Sequence, residues 1–346
     1  MRALVKTRPG QGMELREVPV PSMGSADVLI KVRHAGVCGT DLHIWEWDAW
    51  ASGRLKPPVT IGHEFAGEIV DMGNEARAGK LLAIGDLVTA EGHIVCGHCL
   101  PCRTGDSHVC HRTRIIGVDR DGAFAEFIAM PASNVMKLDG IPTEIGAIMD
   151  PTGNAVHTVL EGGKVPGSAV LVLGCGPIGC FAVGIAKAAG AKAVIAVDVN
   201  PKRLALAATM GATKALKPGP EVRQAVMELS EGNGADVVCE MSGAVSALHD
   251  AFALVRNGGR VQLLGIPKGE VPVNWATEVI FKGITIYGVI GRRMYDTWNQ
   301  MQRFLRSGVL DPRPVITHRF PLEKIDDALA AIRSGDAGKV IIEIGH

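Results

Sequence analysis

The chain has 346 residues, 47% of them apolar and 21% charged, with 36 basic side chains against 36 acidic ones. This length exceeds what one hydrophobic core usually supports, so two domains are expected. The balanced charge leaves no footprint for nucleic acid or an anionic membrane, and no apolar run reaches the ~20 residues of a membrane span.

The opening stretch, MRALVKTRPG, alternates like a strand and lacks the apolar core of a signal peptide, so a cytoplasmic location is expected. There the eight cysteines are expected as thiols or metal ligands rather than disulfides. Residues 1–150 carry short β runs broken by Gly and Pro (DVLIKVRHAGV, FAGEIVDMG, GDLVTAE, FAEFIAM), which predicts an irregular β-rich domain. Within it, CGTDLHIWEWDAW (residues 38–50) places three of the five tryptophans just after Cys38, Thr40 and His43. It is expected to be a loop. Trp45, Trp47 and Trp50 either fill core or, with Glu46 and Asp48, wall a cleft or a subunit contact.

GHEFAG follows with His63 and Glu64, and MDPTGNAVHT later adds Asp150. Each is bland alone. With Cys38 they suggest a catalytic zinc held by three protein ligands, with one exchangeable position. Between them, CGHCLPCRTGDSHVC sets Cys96, Cys99, Cys102 and Cys110 in a C-x2-C-x2-C-x7-C spacing. Four thiolates can close a tetrahedron around zinc and leave no open position, which makes a structural site. An iron–sulfur cluster can begin with the same two steps. A zinc knuckle for nucleic acid is disfavoured by the neutral charge. The nearby His93, His98, His108 and His111 then read as loop histidines, His93 being able to face a cleft.

From about residue 168 continuous apolar strands alternate with helical patterns, the mark of a doubly wound parallel sheet. VLVLGCGPIG puts Gly174, Gly176 and Gly179 as G-x-G-x-x-G between a strand and a helix, and Asp198 ends the next strand. The glycines permit the turn and the approach of a pyrophosphate to the helix N-terminus. The acid suits the ribose 2′-OH of NAD. A glycine-rich turn without a ligand is the plainer alternative. Arg203 either lies along the adenosine or is a solvated helix charge. Cys175, Cys180 and Cys239 read as small buried hydrophobes. The predicted domains are 1–150, 151–293, and a return to the first domain over 294–346, made of a helix (MYDTWNQMQRFLRSG) and a closing strand (GKVIIEI).

The GHE motif, the four-cysteine lobe and G-x-G-x-x-G followed by Asp stand in the order found in the zinc-dependent medium-chain alcohol dehydrogenase family, which the chain resembles over nearly its whole length. The resemblance implies an α/β protein with a GroES-like catalytic domain, a Rossmann domain for NAD, and a homotetramer. It implies a catalytic zinc on Cys38, His63 and Glu64, with Asp150 as an alternating ligand or proton-relay group, and a structural zinc on Cys96, Cys99, Cys102 and Cys110. On the same pattern Gly174, Gly176, Ile178, Gly179, Asp198 and Arg203, with the backbones of Leu264, Gly265, Ile266, Val289 and Ile290, line the NAD site. Leu87 departs from the family's common GDRV, where Arg stands. CGTDLHIWEWDAW, GHIVCGHC, DPTGNAVHT, EMSGA and ITHRF resemble the branch that oxidises L-threonine at its 3-hydroxyl to L-2-amino-3-oxobutanoate. Oxidation of a polyol or butanediol by the same machinery is the alternative. A non-catalytic zinc and nucleotide sensor is the rival from another class. Thr40 and His43 are expected to pass the alcohol proton to solvent, since an imidazole titrates near working pH. The alternative is that they tie down a loop.

Overall fold

The computed structural model describes residues 1–345. The chain forms two compact units, Met1–Asp150 together with the segment from Ile316, and Pro151–Val315. The helix Asp296–Arg306, expected to begin the return to the first unit, belongs to the second. Its Trp298 and Met301 are buried, and Met301 faces Gly153 of that unit. The return begins at Ile316 instead of residue 294.

The first unit is organised by the long strand Asp27–Val37, whose Val28, Ile30 and Val32 are fully buried while the residues between them are partly exposed. Glu64–Met72, Phe127–Pro131 and the C-terminal strand Lys339–Glu343 all pair antiparallel with it. Gly36 stands opposite Glu64, and Val37 opposite Val340. This register brings three remote pieces of chain together at one strand end: the residues before Cys38, the start of Glu64–Met72 and the start of Lys339–Glu343.

The second unit holds a six-stranded sheet in the order Lys214–Leu216, Ala193–Val197, Ala169–Leu173, Ala235–Glu240, Val255–Leu263, Thr285–Gly288, every pair parallel. Ala169–Leu173 and Ala193–Val197 are buried at every residue, as strands covered on both faces must be. The chain enters mid-sheet, moves outward, then restarts beside its first strand. That reversal opens a crevice at the carboxyl ends of the strands, where doubly wound sheets bind ligands. No helix among the described residues is long and apolar enough to cross a membrane.

Candidate metal centres and cofactor site

Cys38, His63 and Glu64 each offer a ligand atom, and these atoms lie within 4.8 Å of one another. Cys38 caps the helix Gly39–Glu46, and its backbone N–H donates to Asp41 Oδ2 at 2.8 Å. That bond fixes the turn that presents the thiol. Asp41 is fully buried, and its other oxygen stands 3.8 Å from His63 Nδ1. Both of those facing atoms lack a hydrogen-bond partner, and an unpaired polar group in a dry interior is costly. Burial works against the charged imidazole of His63, but the Cys38 thiol and the Asp41 and Glu64 carboxylates outweigh it and hold its pKa up at about 10. The pocket is thus built for a cation, and one thiolate, one imidazole and one carboxylate suit zinc. Asp150, in the first turn of the helix Met149–Leu160, is buried close enough to act electrostatically on Glu64.

The lobe gathers Cys96, Cys99, Cys102 and Cys110. The sulfur of Cys99 lies 3.5 Å from Cys102 and 3.7 Å from Cys110, and Cys110 lies 3.6 Å from Cys96. A tetrahedron with zinc–sulfur bonds of about 2.3 Å has edges of about 3.8 Å, so the four fit one zinc. Burial opposes the thiolate at Cys110, yet the backbone N–H groups of Cys96 and Arg112 point at its sulfur and bring its pKa down to about 6.

In the second unit Gly174 takes φ +96°, which favours glycine, and a Cβ on Gly179 would meet the Gly174 carbonyl oxygen at 1.9 Å. Helix Pro177–Ala188 therefore packs hard against the turn, while around Gly176 there is open space. The buried Asp198 carboxylate accepts from Cys175 N at 2.7 Å and Asn200 N at 2.8 Å, locking the glycine turn to the end of its own strand. Arg203 Nη1 is 4.0 Å from Asp198 Oδ2, and its Nε is buried with no hydrogen-bond partner. Ile178 is half-buried on the first turn of the helix. Leu264, Gly265 and Ile266 follow the strand Val255–Leu263, and Val289 and Ile290 follow Thr285–Gly288, all at carboxyl ends. Ile266 and Ile290 are exposed and Val289 is buried. An open glycine turn, a helix N-terminus and an acid at the next strand end fit a dinucleotide.

Residues 24–140 match the alcohol dehydrogenase GroES-like domain, and residues 177–307 match the zinc-binding dehydrogenase domain. An L-threonine 3-dehydrogenase of Bacillus licheniformis is 48% identical over 99% of this chain and 98% of its own. This chain belongs to the zinc-dependent alcohol dehydrogenase family. Among solved structures, an alcohol dehydrogenase of Thermotoga maritima is 28% identical, covers 99% of both chains and superposes with a TM-score of 0.90. An Escherichia coli alcohol dehydrogenase complexed with NADH is 26% identical over 99% of both chains, with a TM-score of 0.89.

Around the metal centre, this dehydrogenase differs from its sequence reading in several places. Residues 38–50 form no loop. The helix Gly39–Glu46 ends at Trp47, which takes a left-handed conformation, and Asp48 caps a second helix, Ala49–Arg54. The three tryptophans consequently have different neighbours. Trp45 and Trp47 pack on the core of the first unit, with Arg333 over the Trp45 ring at 4.8 Å and Lys6 over Trp47 at 4.9 Å. Trp50 is exposed, edge-on to His43. The three do not form one wall. Thr40 Oγ1 lies 3.8 Å from Cys38 Sγ. His43 is exposed, and its Nδ1 meets Asp48 Oδ2 at 2.7 Å. Among the described residues no hydrogen bond joins Thr40 to His43. His93 lies in the short strand His93–Ile94, its Nδ1 2.7 Å from the buried Glu91. Burial pushes the thiols of Cys175, Cys180 and Cys239 up, the last two to about 12, as expected of inert core residues. Two participants went unread: Asp41, and Lys339, whose Nζ pairs with Glu64 Oε2 at 2.5 Å. Lys339 left a trace, a cation at the head of a strand buried at its first four residues.

Proposed function

We propose that this enzyme oxidises L-threonine to L-2-amino-3-oxobutanoate with NAD, in the cytoplasm and as a homotetramer. The full-length likeness to the L-threonine 3-dehydrogenase of Bacillus licheniformis carries the choice of substrate. When bound, zinc acts as a Lewis acid on the alcohol oxygen and NAD takes the hydride. Cys38, His63 and Glu64 hold the metal, and Asp150 stands near it as an alternating carboxylate. Cys96, Cys99, Cys102 and Cys110 hold the structural zinc. Thr40 Oγ1, beside Cys38, accepts the alcohol proton while giving up its own hydroxyl proton, which passes to His43 by way of solvent. His43, at the surface, releases it to solvent, its ring held by Asp48. Gly174, Gly176 and Gly179 admit the pyrophosphate. Asp198 meets the adenosine ribose and repels a 2′-phosphate, and Arg203 lies along the adenosine. Ile178 and the segments 264–266 and 289–290 border the nicotinamide side. Steady-state rates with NAD on L-threonine, sorbitol and 2,3-butanediol test this reading: L-threonine gives the highest kcat/KM. A higher value on either other alcohol assigns the chain to polyol or butanediol oxidation.

A further inference from the structure

Behind Glu64 lies a buried cation that neither hydride transfer nor the proton path uses. Lys339 is only 3% exposed, and lysine almost never goes inside without a partner. Its ammonium has two. It stands 2.5 Å from Glu64 Oε2 and donates to the carbonyl of Val37, the residue before Cys38, at 2.8 Å. One side chain near the C-terminus thus ties together both chain segments that carry the ligands. Space is kept for this pair: a Cβ on Gly36 would lie 2.2 Å from Glu64 Oε2 and 3.1 Å from Lys339 Cε. The other charges on Glu64 come from His63 and Asp150, and Asp150 repels it.

We propose that Lys339 is a positioning residue that shares the Glu64 carboxylate with the metal, so that Glu64 is a weakly held and replaceable ligand. This rests on reading Cys38, His63 and Glu64 as the catalytic zinc centre. A carboxylate whose charge is divided between an ammonium and a metal binds the metal less tightly. Without Lys339, the metal is the one strong cation left for a buried Glu64. Glu64 then closes on it and shuts the position that substrate must enter. The function of the lysine is to keep that position exchangeable.

The test compares wild type, Lys339→Met, Glu64→Gln and the double variant as zinc-loaded and cobalt-substituted proteins. Release of the labile metal to a chelator and the visible cobalt spectrum, with and without imidazole as an added ligand, need no substrate. Lys339→Met is expected to release that metal about tenfold more slowly, the size of change that outer-shell substitutions make in metal sites. Its cobalt spectrum is expected to respond weakly to imidazole, and its kcat to fall more than its KM rises. Because Lys339 acts through Glu64, the same Lys339→Met change made on top of Glu64→Gln leaves metal release and spectrum unaltered. This second arm stands even if Lys339→Met alone fails to fold. Faster or unchanged release with a normal spectrum in Lys339→Met, or a large change in the Glu64→Gln background, overturns the proposal. A wild-type protein holding only one zinc refutes the reading of the centre rather than the role of the lysine.

Discussion

The two metal-binding regions of the first unit solve opposite problems. The lobe takes all four ligands from one short stretch, Cys96 to Cys110, and three of its cysteines are only half-buried. Its ligands arrive together because they are neighbours in sequence, and a closed shell of four thiolates leaves nothing to exchange. The Cys38–His63–Glu64 centre depends on strand pairing to meet at all. Its acids, Asp41 and Glu64, are buried, and they face an imidazole and an ammonium rather than water. Local assembly gives a staple. Long-range assembly in a dry pocket gives a site whose ligands can be tuned by what lies behind them.

The sharpest way to break this comparison is to remove one thiolate from each region. Cys38→Ser is expected to abolish turnover and lose one zinc while the fold and the lobe metal persist. Cys102→Ser is expected to lose the other zinc and lower the melting temperature markedly, because binding energy at a closed site is folding energy. Metal analysis with thermal melts of both variants checks the pair; equal loss of stability in both makes the contrast false.

Next in size are the proton carriers. Thr40→Ala and His43→Asn should each lower kcat by about 10²–10⁴-fold, the usual cost of a lost acid–base group. Zinc content should be unchanged, since neither is a ligand. Without His43 the proton must leave to solvent base, so the deficit shrinks as pH rises, and a kcat–pH profile shows it. A His43 variant with full turnover and an unaltered profile removes it from the path.

Asp198→Ser lies outside both metal regions and sharpens the comparison as a control. The preference for NAD over NADP should narrow by roughly tenfold, since a buried like charge costs on the order of 1–2 kcal/mol, with both zincs retained. Loss of metal in this variant contradicts the separation of the sites. The smallest effect is expected from Trp50→Ala. The ring is exposed, and surface changes of this kind usually stay within about 0.5 kcal/mol. A melt and an L-threonine KM check it; a large rise in KM restores Trp50 to the substrate pocket.

What could be read in the sequence follows the same division. The lobe and the G-x-G-x-x-G turn were legible because their chemistry is contained in one contiguous stretch. His63, Glu64 and Cys38 were legible as residue types that suit zinc and, as a set of ligands, through the family resemblance. The second layer was not. Lys339 matters through register, Val37 against Val340, which joins residues about three hundred positions apart, and Asp41 through the Cys38 cap that sets it against His63. The tryptophans were open to two readings, core or cleft wall: Trp45 and Trp47 pack on the core, while the left-handed Trp47 and the Asp48 cap turn the chain before the exposed Trp50. The domain return was placed too early because the apolar face of Asp296–Arg306 does not itself say which unit it covers.

The most direct test follows zinc content and NAD-linked oxidation of L-threonine in the same sample during exposure to a chelator. The account predicts about two zinc ions per chain at the start. Activity should fall to zero as the first is lost, in step with it, while the circular dichroism spectrum and the second zinc persist. Activity surviving the loss of the first zinc, or both ions leaving together with the fold, would contradict it.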